Sequence, residues 1–384
     1  MIRVLHVINN LDRGGIETNL MALLKRIPRE QVAMDIFCKG RQIGVLGETA
    51  REFGATIYHH PLTLSHFGFI AGLRRAVTVG KYDIVHNQLN PLSGLTVWAL
   101  RGYGVKIITK YDTTDLLPEK KWAHRPVIRS LLRAYIGALN RYAIKRSDWV
   151  MGVSTATLDF LVPQHRRFAN CSVIYNGVTL NSPPVESERA ALRTELGLPV
   201  DCPLVLHVGR FSQGKNHRAI IRVFDAVSAA IPQARLLLVG AGELLPDIQE
   251  QVRARNLAER VLFLGVRADV PRLMRSADAF LFPSLFEGFG VVVVEAMSSY
   301  LPTIASDIPP IAGEIIQSGT SGLLHDVDDE DGMARSVVRV LTDSEFAKQL
   351  ASAGRAQVEE HFNLDVTAEK YIKLYEQVAG KSST

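Results

Sequence analysis

Two carboxylates eight residues apart are the side chains of this sequence with the clearest chemistry. Glu287 and Glu295 enclose Gly288, Gly290 and a run of four valines. The apolar run predicts a buried helix, whose N-terminus would offer unpaired backbone N–H groups and a positive dipole to an anion. Carboxylates beside that anion suit neutral donors such as sugar hydroxyls. The spacing therefore predicts a nucleotide-sugar site and glycosyl transfer.

A second candidate segment follows the apolar run 203–208. Arg210 and Lys215 lie in one glycine-containing loop, at the end of a strand where a parallel sheet binds its ligand. Two cations there would neutralise a diphosphate and stabilise the negative charge that a departing nucleotide acquires. The alternative is a pair of ordinary surface cations, and their position at the carboxyl end of the strand favours the diphosphate.

Two further glycine turns carry weaker signals. Gly14 and Gly15 follow the first predicted strand, and they would let backbone N–H groups approach a phosphate closely. A simple tight turn explains this pair about as well. Residues 240–242 (Gly-Ala-Gly) also follow a strand, but Leu245 stands at the third glycine position of a dinucleotide motif. That departure disfavours a dehydrogenase.

Polar side chains end two predicted strands in the first half of the chain. His86 closes the run 83–86, and Tyr111 and Asp112 follow the run 105–109. At a sheet edge these side chains would line a cleft where an acceptor hydroxyl could bind. A single histidine at a strand end is more often structural, and both interpretations of His86 are kept.

The elements that must position these residues form a regular alternation. The predicted strands are 2–8, 32–37, 83–86, 105–109, 148–152, 203–208, 234–239, 260–264, 278–282 and 301–305, with helical segments between them. Such alternation indicates parallel sheets with crossover helices. At 384 residues the chain exceeds one hydrophobic core, and turn residues interrupt the pattern after Asn176. We therefore predict two α/β domains, 1–177 and 178–384, with a C-terminal helix, 360–384, that could cross back to the first.

Composition bounds the class of protein. Hydrophobic residues make up 47% of the chain and charged residues 22%, which is typical of a globular protein. No apolar run approaches the ~18 residues of a membrane-spanning helix. Cys38, Cys171 and Cys202 share no metal or disulfide spacing, so we expect reduced core residues and a cytoplasmic protein.

Charge is distributed unevenly along the chain. Lys and Arg outnumber Asp and Glu two to one in residues 1–180, whereas the rest of the chain is net acidic. The excess is greatest in residues 119–146, a basic helical stretch with apolar positions. It could lie on an anionic membrane surface, or its apolar side could pack in the core with the basic side solvated. No nucleic-acid-binding module accompanies the charge, and nucleic acid is not expected as a partner.

Taken together and in order, these residues resemble the retaining glycosyltransferase family 4. That family has the GT-B architecture, an α/β fold of two facing, doubly wound Rossmann-like domains with a central cleft. The resemblance rests on Gly14-Gly15, Ser154, residues 174–178, Gly209-Arg210 with Lys215-Asn216, the spacing of Glu287 and Glu295, and residues 302–307. The variant Gly14-Gly15-Ile16-Glu17 is similar to the subgroup that serves bacterial exopolysaccharide and capsule assembly.

The resemblance implies roles for the candidate residues. Arg210, Lys215 and Glu287 would be catalytic, with the two cations on the donor diphosphate and Glu287 on the donor sugar. Glu295 would bind the ribose hydroxyls of the nucleotide. The other implied donor-binding residues are Gly14, Gly15, Gly288, Phe289, Gly290 and, for the base, Arg267. The acceptor side would hold His86, Tyr111 and Asp112.

The resemblance also sets expectations for cofactors. Family members use UDP-, GDP- or ADP-sugars and generally need no metal, because cationic side chains take its role. Nothing in the sequence resembles a metal-binding Asp-x-Asp at a strand end. One departure concerns Tyr111, which stands where many relatives have a histidine, so acceptor positioning should differ.

These observations predict a hexosyltransferase at the inner face of the membrane. It would move a hexose from a nucleoside diphosphate sugar, with retention, to a lipid-linked glycan in bacterial surface polysaccharide synthesis. Two other classes are kept: a nucleotide-sugar epimerase of the same fold, and a non-catalytic nucleotide-sugar-binding scaffold. Transfer to any acceptor would exclude the scaffold, whereas an altered sugar nucleotide without acceptor would favour the epimerase.

Overall fold

The computed structural model describes residues 1–12, 14–62, 66–113, 126–162 and 169–381, apart from the side chains of Pro126 and Arg129. The chain divides into two compact units. The first contains residues 1–177 and the segment from Leu364 onward, and the second contains residues 178–363. The division after Gly177 falls where the sequence predicts it. The segment from Leu364 lies in the first unit, as expected if the C-terminal helix crosses back, and the second unit is therefore shorter than the predicted range 178–384.

The first unit has a parallel sheet of seven strands within its described residues. The strands are β1 (Ile2–Ile8), β2 (Val32–Cys38), β3 (Ile57–His59), β4 (Ile84–Asn87), β5 (Lys106–Tyr111), β6 (Trp149–Gly152) and β7 (Cys171–Val173). Their order is β3-β2-β1-β4-β5-β6-β7. The helices between them are α1 (Gly15–Arg26), α2 (Gly47–Glu52), α3 (Phe67–Gly80), α4 (Ser93–Ala99), α5 (Pro126–Arg146) and α6 (Thr155–Leu161), with a short 3-10 helix at Asn90–Leu92.

The second unit has a parallel sheet of six strands. They are β8 (Leu204–Val208), β9 (Arg235–Val239), β10 (Val261–Gly265), β11 (Ala279–Phe282), β12 (Thr303–Ser306) and β13 (Leu323–His325), in the order β10-β9-β8-β11-β12-β13. The helices are α7 (Glu186–Glu195), α8 (His217–Ala230), α9 (Leu245–Ala254), α10 (Val270–Ser276), α11 (Val291–Ser298), α12 (Glu330–Thr342) and α13 (Ser344–His361). Short helical turns occur at Gln213–Lys215 and Ile311–Ile315.

The last helix, α14 (Leu364–Ala379), returns to the first unit. Its residues Tyr371, Leu374 and Tyr375 are buried in the same cluster as Leu20 and Leu24 of α1. The predicted helix 360–384 is therefore wrong at its start, because α13 ends at His361 and α14 begins only at Leu364. Helices α13 and α14 thus belong to different units.

The central strands are largely apolar along their length because helices cover both faces of a parallel sheet. All seven residues of β2 are buried, as are four of the five in β8. Strand β1 pairs with β2 and β4, and β8 with β9 and β11. The chain order reverses between β1 and β4 and again between β8 and β11. Loops at the carboxyl ends of such strands form the usual ligand crevice of an open α/β sheet.

Most predictions made for the strands and the cysteines agree with the structure. All ten predicted strands form, whereas β3, β7 and β13 were not predicted because each has only three half-buried residues. The three cysteines are unpaired, as expected. No helix in the described ranges combines the length and the apolar character that crossing a membrane requires.

Candidate active site

The reversal point of the second sheet brings Lys215 and Glu287 together. Lys215 ends the loop after β8, and Glu287 lies in the loop after β11. The Lys215 Nζ donates to Glu287 Oε1 over 2.5 Å. It also lies 4.9 Å from the centre of the Phe282 ring. With 24% of the lysine side chain and 11% of the glutamate side chain exposed, the pair is oriented but accessible, as a ligand-binding pair must be.

The loop after β8 is fixed by the loop after β9. Phe211 N–H donates to Ala241 O, and Leu244 N–H donates to Phe211 O. Gly240 has a φ of +138°, and a Cβ at this position would collide with the Gly209 carbonyl. The turn 240–242 therefore serves as a backbone support for the Lys215 loop, which explains its glycines without a dinucleotide motif.

Helix α11 begins directly after this loop. Gly290 precedes it with a φ of +92°, a conformation that favours glycine, and no side chain caps the helix. A Cβ on Gly290 would also approach the Ile311 side chain at 2.5 Å. The arrangement leaves the N-terminal end of α11 with the backbone donors and dipole that bind anions.

Glu295 lies in the second turn of α11. Burial raises the pKa of its carboxyl to about 7, although part of the residue remains accessible. Ser298 and Ser299 bond the Glu295 carbonyl, and no ion pair or hydrogen bond to the carboxylate occurs in the described part of the chain. A buried carboxylate without a partner is unfavourable, which is the state expected of a group that receives a ligand's hydroxyls.

Two buried histidines, His207 and His217, lie beside Lys215. The His207 Nδ1–H donates to Leu281 O, so its Nε2 is the unprotonated nitrogen. The two rings contact edge to face with centroids 4.8 Å apart. Burial and, to a smaller extent, the charge of Lys215 lower the pKa of His217 to about 4. Burial lowers the pKa of His207 well below its usual value, with smaller contributions from His217 and Lys215. Both imidazoles are therefore neutral, so Lys215 carries the positive charge among these three side chains.

Two other predicted donor-site residues, Arg210 and Arg267, pair with acidic residues other than Glu287. The Arg210 side chain is 76% exposed, with its Nε 3.9 Å from Glu243 Oε2. Arg267 pairs with Asp269 and Glu195, and these bonds raise its pKa further. Arg267 is therefore committed to acidic neighbours, and its assignment to a base pocket stays a prediction.

Gly288 and Phe289 continue the loop that ends at Gly290. The Phe289 side chain is 3% exposed and contacts Phe362 edge to face. Only the backbone of Phe289 could therefore meet a donor sugar. Its ring holds the loop against the core.

The acceptor-side residues lie at the carboxyl edge of the first sheet, and the side chains of all three are enclosed. The His86 ring is fully buried, with Nδ1 2.8 Å from the Tyr375 hydroxyl of α14. The Tyr111 side chain is also fully buried, and its hydroxyl donates to Asn140 Oδ1. The expectation that these side chains line an open cleft does not describe this structure, because α14 and α5 cover them.

Asp112 is enclosed like His86 and Tyr111, but it is held by an ion pair. Its side chain is 5% exposed and lies 2.9 Å from the Nζ of Lys110, which is itself buried. Burial disfavours the charge on Lys110, but Asp112 and Tyr371 outweigh this effect and raise the pKa of the amine. No sequence motif indicates Lys110, His207 or His217, because a strand lysine and lone histidines have no distinctive spacing.

Gly14 and Gly15 open α1, as predicted. The carboxylate of Glu17 folds back over this turn, because a Cβ on Gly14 would collide with its Oε2. A donor-diphosphate contact at this turn stays a prediction. Among the described residues no group of three or more His, Cys, Asp or Glu is arranged to hold a metal ion.

Solved structures share this fold. HepE of Anabaena in complex with UDP-glucose superposes with a TM-score of 0.82 at 22% identity, covering 99% of this chain and 100% of that one. The sucrose-phosphate synthase of Thermosynechococcus elongatus gives a TM-score of 0.82, also at 22% identity, covering 100% of both chains. The chain therefore has the GT-B fold.

Sequence relatives narrow the class. The family models for Glycosyltransferase Family 4 and for Glycosyl transferases group 1 match residues 13–182 and 188–357. The putative glycosyltransferase EpsF of Bacillus subtilis is 29% identical over 79% of each chain. The UDP-Gal:alpha-D-GlcNAc-diphosphoundecaprenol alpha-1,3-galactosyltransferase of Escherichia coli is 25% identical over 97% of this chain and 96% of its own. The chain belongs to glycosyltransferase family 4.

Proposed function

We propose that this glycosyltransferase moves a hexose from a UDP-sugar to a polyprenyl-linked glycan, with retention and without a metal, in bacterial surface polysaccharide synthesis. The second unit would bind the donor and the first unit the acceptor. The observation that carries the proposal is the set of groups at the second sheet edge. Lys215, the N-terminus of α11 and the unpartnered Glu295 match a diphosphate and the hydroxyls attached to it.

The charges of this site suit the departure of a nucleoside diphosphate. As the bond from the sugar to the phosphate breaks, negative charge grows on the phosphate oxygens. Lys215 and the backbone donors at the start of α11 would stabilise that charge from fixed positions. Glu287 holds Lys215 in place before the donor binds, and it can then accept hydrogen bonds from donor-sugar hydroxyls. No metal is required in this scheme, because Lys215 and Arg210 supply the positive charge.

The choice of donor and acceptor is supported by the relatives. HepE has been crystallised with UDP and with UDP-glucose. The Escherichia coli relative is named for a UDP-galactose donor and a diphosphoundecaprenol-linked acceptor. A Campylobacter jejuni relative, 26% identical over 58% of this chain, is also named for a diphospho-undecaprenol acceptor. These names support a uridine nucleotide and a lipid-linked glycan.

Helix α5 supports an association with the inner face of a membrane. Val127, Leu131 and Tyr135 are exposed on it at spacings of four residues, which places them on one face. The same helix carries Arg133, Arg141, Lys145 and Arg146. Exposed apolar residues with basic neighbours are typical of helices that lie on anionic lipid. The rest of the basic stretch, 119–125, lies outside the described residues.

Donor use is tested by calorimetry with UDP-, GDP- and ADP-glucose and UDP-galactose in EDTA. We expect a UDP-sugar to bind selectively without metal, and transfer to N-acetylglucosaminyl-diphosphoundecaprenol to give an α-linked product by NMR. Absence of binding by every sugar nucleotide, or a β-linked product, would contradict the proposal. A changed sugar nucleotide without acceptor would instead indicate an epimerase.

Membrane association is tested by sedimentation with vesicles of phosphatidylglycerol and phosphatidylcholine. We expect binding at low salt that weakens as salt screens the charges. Leu131→Glu should reduce it, because a carboxylate then stands on the apolar face. The matched control is Val79→Glu on α3, where another exposed apolar residue is replaced. Equal sedimentation of both variants would remove α5 from the proposal.

A further inference from the structure

Phe286 is a large apolar side chain next to the pair formed by Lys215 and Glu287, and the proposed mechanism gives it no role. It directly precedes Glu287 in the loop after β11, and it is 52% exposed. Phe289 of the same loop is only 3% exposed. Leaving a phenylalanine ring in water forgoes the free energy that its burial would release. The exposed ring of this loop therefore calls for a partner, and it lies at the candidate site.

Three consecutive residues hold this loop against the loop that carries Lys215. Leu285 N–H donates to Gly214 O over 2.8 Å, and the Glu287 carboxylate accepts from the Lys215 amine. Between these two contacts the Phe286 ring lies over Gly214, because a Cβ on that glycine would be 2.8 Å from the ring Cζ. Gly214 thus leaves the space in which the ring packs. The ring is both exposed and held in place.

The groups around the ring indicate the kind of ligand that would cover it. Lys215 offers a positive charge to a phosphate, and Glu287 accepts hydrogen bonds from hydroxyl groups. The Phe286 ring adds a flat apolar surface. Binding sites commonly combine apolar and aromatic walls with a few placed polar groups. A hexose linked to a diphosphate matches all three groups, because it has a phosphate, hydroxyls and a face of C–H groups.

We propose that Phe286 binds the transferred hexose by stacking against its C–H face. This inference rests on the proposed function, since only a sugar-nucleotide donor would place a hexose beside the phosphate that Lys215 binds. The ring would cover one face of the sugar while Glu287 accepts from hydroxyls at its edge. Stacking buries apolar surface of both partners, and so it adds affinity for the sugar part of the donor alone.

Calorimetry with the full chain in EDTA separates the sugar from the nucleotide. The probes are UDP, UDP-glucose, UDP-galactose and UDP-N-acetylglucosamine, and the proteins are the wild type, Phe286→Ala and Phe286→Tyr. We expect Phe286→Ala to weaken binding of the preferred UDP-sugar about fivefold or more, the scale of burying one aromatic face. Binding of UDP should not change, because UDP has no hexose. Phe286→Tyr retains the ring and should bind as the wild type does.

Gly214→Ala tests the position of the ring without removing it. The added Cβ would displace the far end of the half-exposed ring, while the Leu285 N–H bond to the Gly214 carbonyl is retained. We expect the same selective loss of UDP-sugar affinity, with an unchanged urea midpoint. In the Phe286→Ala background Gly214→Ala should have no further effect, because the contact is already absent. Losses that add in the double variant would overturn the stacking role.

The matched control is Leu285→Ala, which removes apolar surface that is 37% exposed from the same loop and should bind as the wild type does. Equal losses of affinity for UDP and UDP-sugar in Phe286→Ala, or no loss of either, would overturn the stacking role and leave the proposed function intact. Failure of the wild type to bind any UDP-sugar would contradict the proposed function, and the stacking role with it. The wild-type titration therefore distinguishes the two failures.

Discussion

Both sheet edges carry a lysine paired with a carboxylate, but the two pairs differ in exposure. Lys215 and Glu287 in the second unit are 24% and 11% exposed. Lys110 and Asp112 in the first unit are 2% and 5% exposed. The same chemical pair is therefore an accessible site in one unit and largely an internal support in the other.

The neighbours of each pair explain the difference. Around Lys215, His207 and His217 are kept neutral by burial, so the lysine charge is available to a ligand. Lys110 instead donates to Asn176 Oδ1, and acidic groups dominate its surroundings. The two pairs therefore differ in their surroundings, with neutral imidazoles beside Lys215 and the buried Asp112 and Tyr371 beside Lys110.

The largest effect is expected at the buried pair. Lys110→Met should lower the free energy of unfolding by about 3–5 kcal/mol, because it leaves the enclosed Asp112 without its counter-ion. Urea unfolding measures this change. Lys106→Met is the control on the same strand, where the lysine is 52% exposed and pairs with Asp148, and it should cost less than about 1 kcal/mol. Equal effects of the two changes would mean that burial does not distinguish these pairs.

The accessible pair should show the opposite behaviour. Lys215→Ala should reduce kcat/KM for transfer by roughly 100- to 1000-fold, because the departing phosphate loses a fixed positive charge, with little change in the urea midpoint. Arg218→Ala is the control, since Arg218 is an exposed cation nearby in sequence that pairs with Asp247. If Lys215→Ala unfolded the protein but left the activity of the folded fraction intact, the contrast between the two edges would be lost.

Glu295 offers a finer test of the hydroxyl assignment in the second unit. Glu295→Gln should weaken UDP binding by about 1.5–3 kcal/mol, the range for hydrogen bonds to a charged acceptor. Calorimetry with 2′,3′-dideoxy-UDP isolates the cause, because that nucleotide has no ribose hydroxyls to donate. We expect the variant and the wild type to bind it equally. A loss that persists with the dideoxy nucleotide would place Glu295 elsewhere in the site.

Much of this architecture could be predicted from the sequence because its signals are local. Apolar runs indicated ten strands, and turn residues indicated the division after Gly177. Lys215 and Glu287 were candidates from their own loops, but their contact spans 72 residues and follows only from the order of β8 and β11. Sequence spacing therefore predicted Lys215 and Glu287 as separate candidates but did not predict their contact.

The first edge was harder to predict because distant segments bury it. His86 is covered by Tyr375, which lies 289 residues further along the chain. No local pattern at the end of β4 indicates that cover. Glu17 was known only as part of a motif, because the burial that raises the pKa of its carboxyl comes from the fold and not from a sequence pattern. Whether a candidate residue is accessible therefore depends on elements that are distant in the sequence.

The smallest effect concerns the dependence of stability on pH. The pKa of Glu295 is raised by burial from 4.5 to about 7 in the folded chain, so the folded state favours the protonated carboxyl. Its contribution to stability is therefore complete below pH 4.5 and is lost as the pH rises through 7. Glu295→Gln removes this titration, and above pH 7 the variant should be more stable than the wild type by about 1–3 kcal/mol.

Urea unfolding from pH 5 to pH 8 measures this difference in stability, with the exposed Glu259→Gln as control. Parallel curves for Glu295→Gln and the wild type would show that Glu295 is already paired. If the variant becomes more stable than the wild type as the pH rises above 5, the ionised Glu295 carboxylate destabilises the second unit. The protein would then keep this carboxylate free for a ligand at a cost in stability.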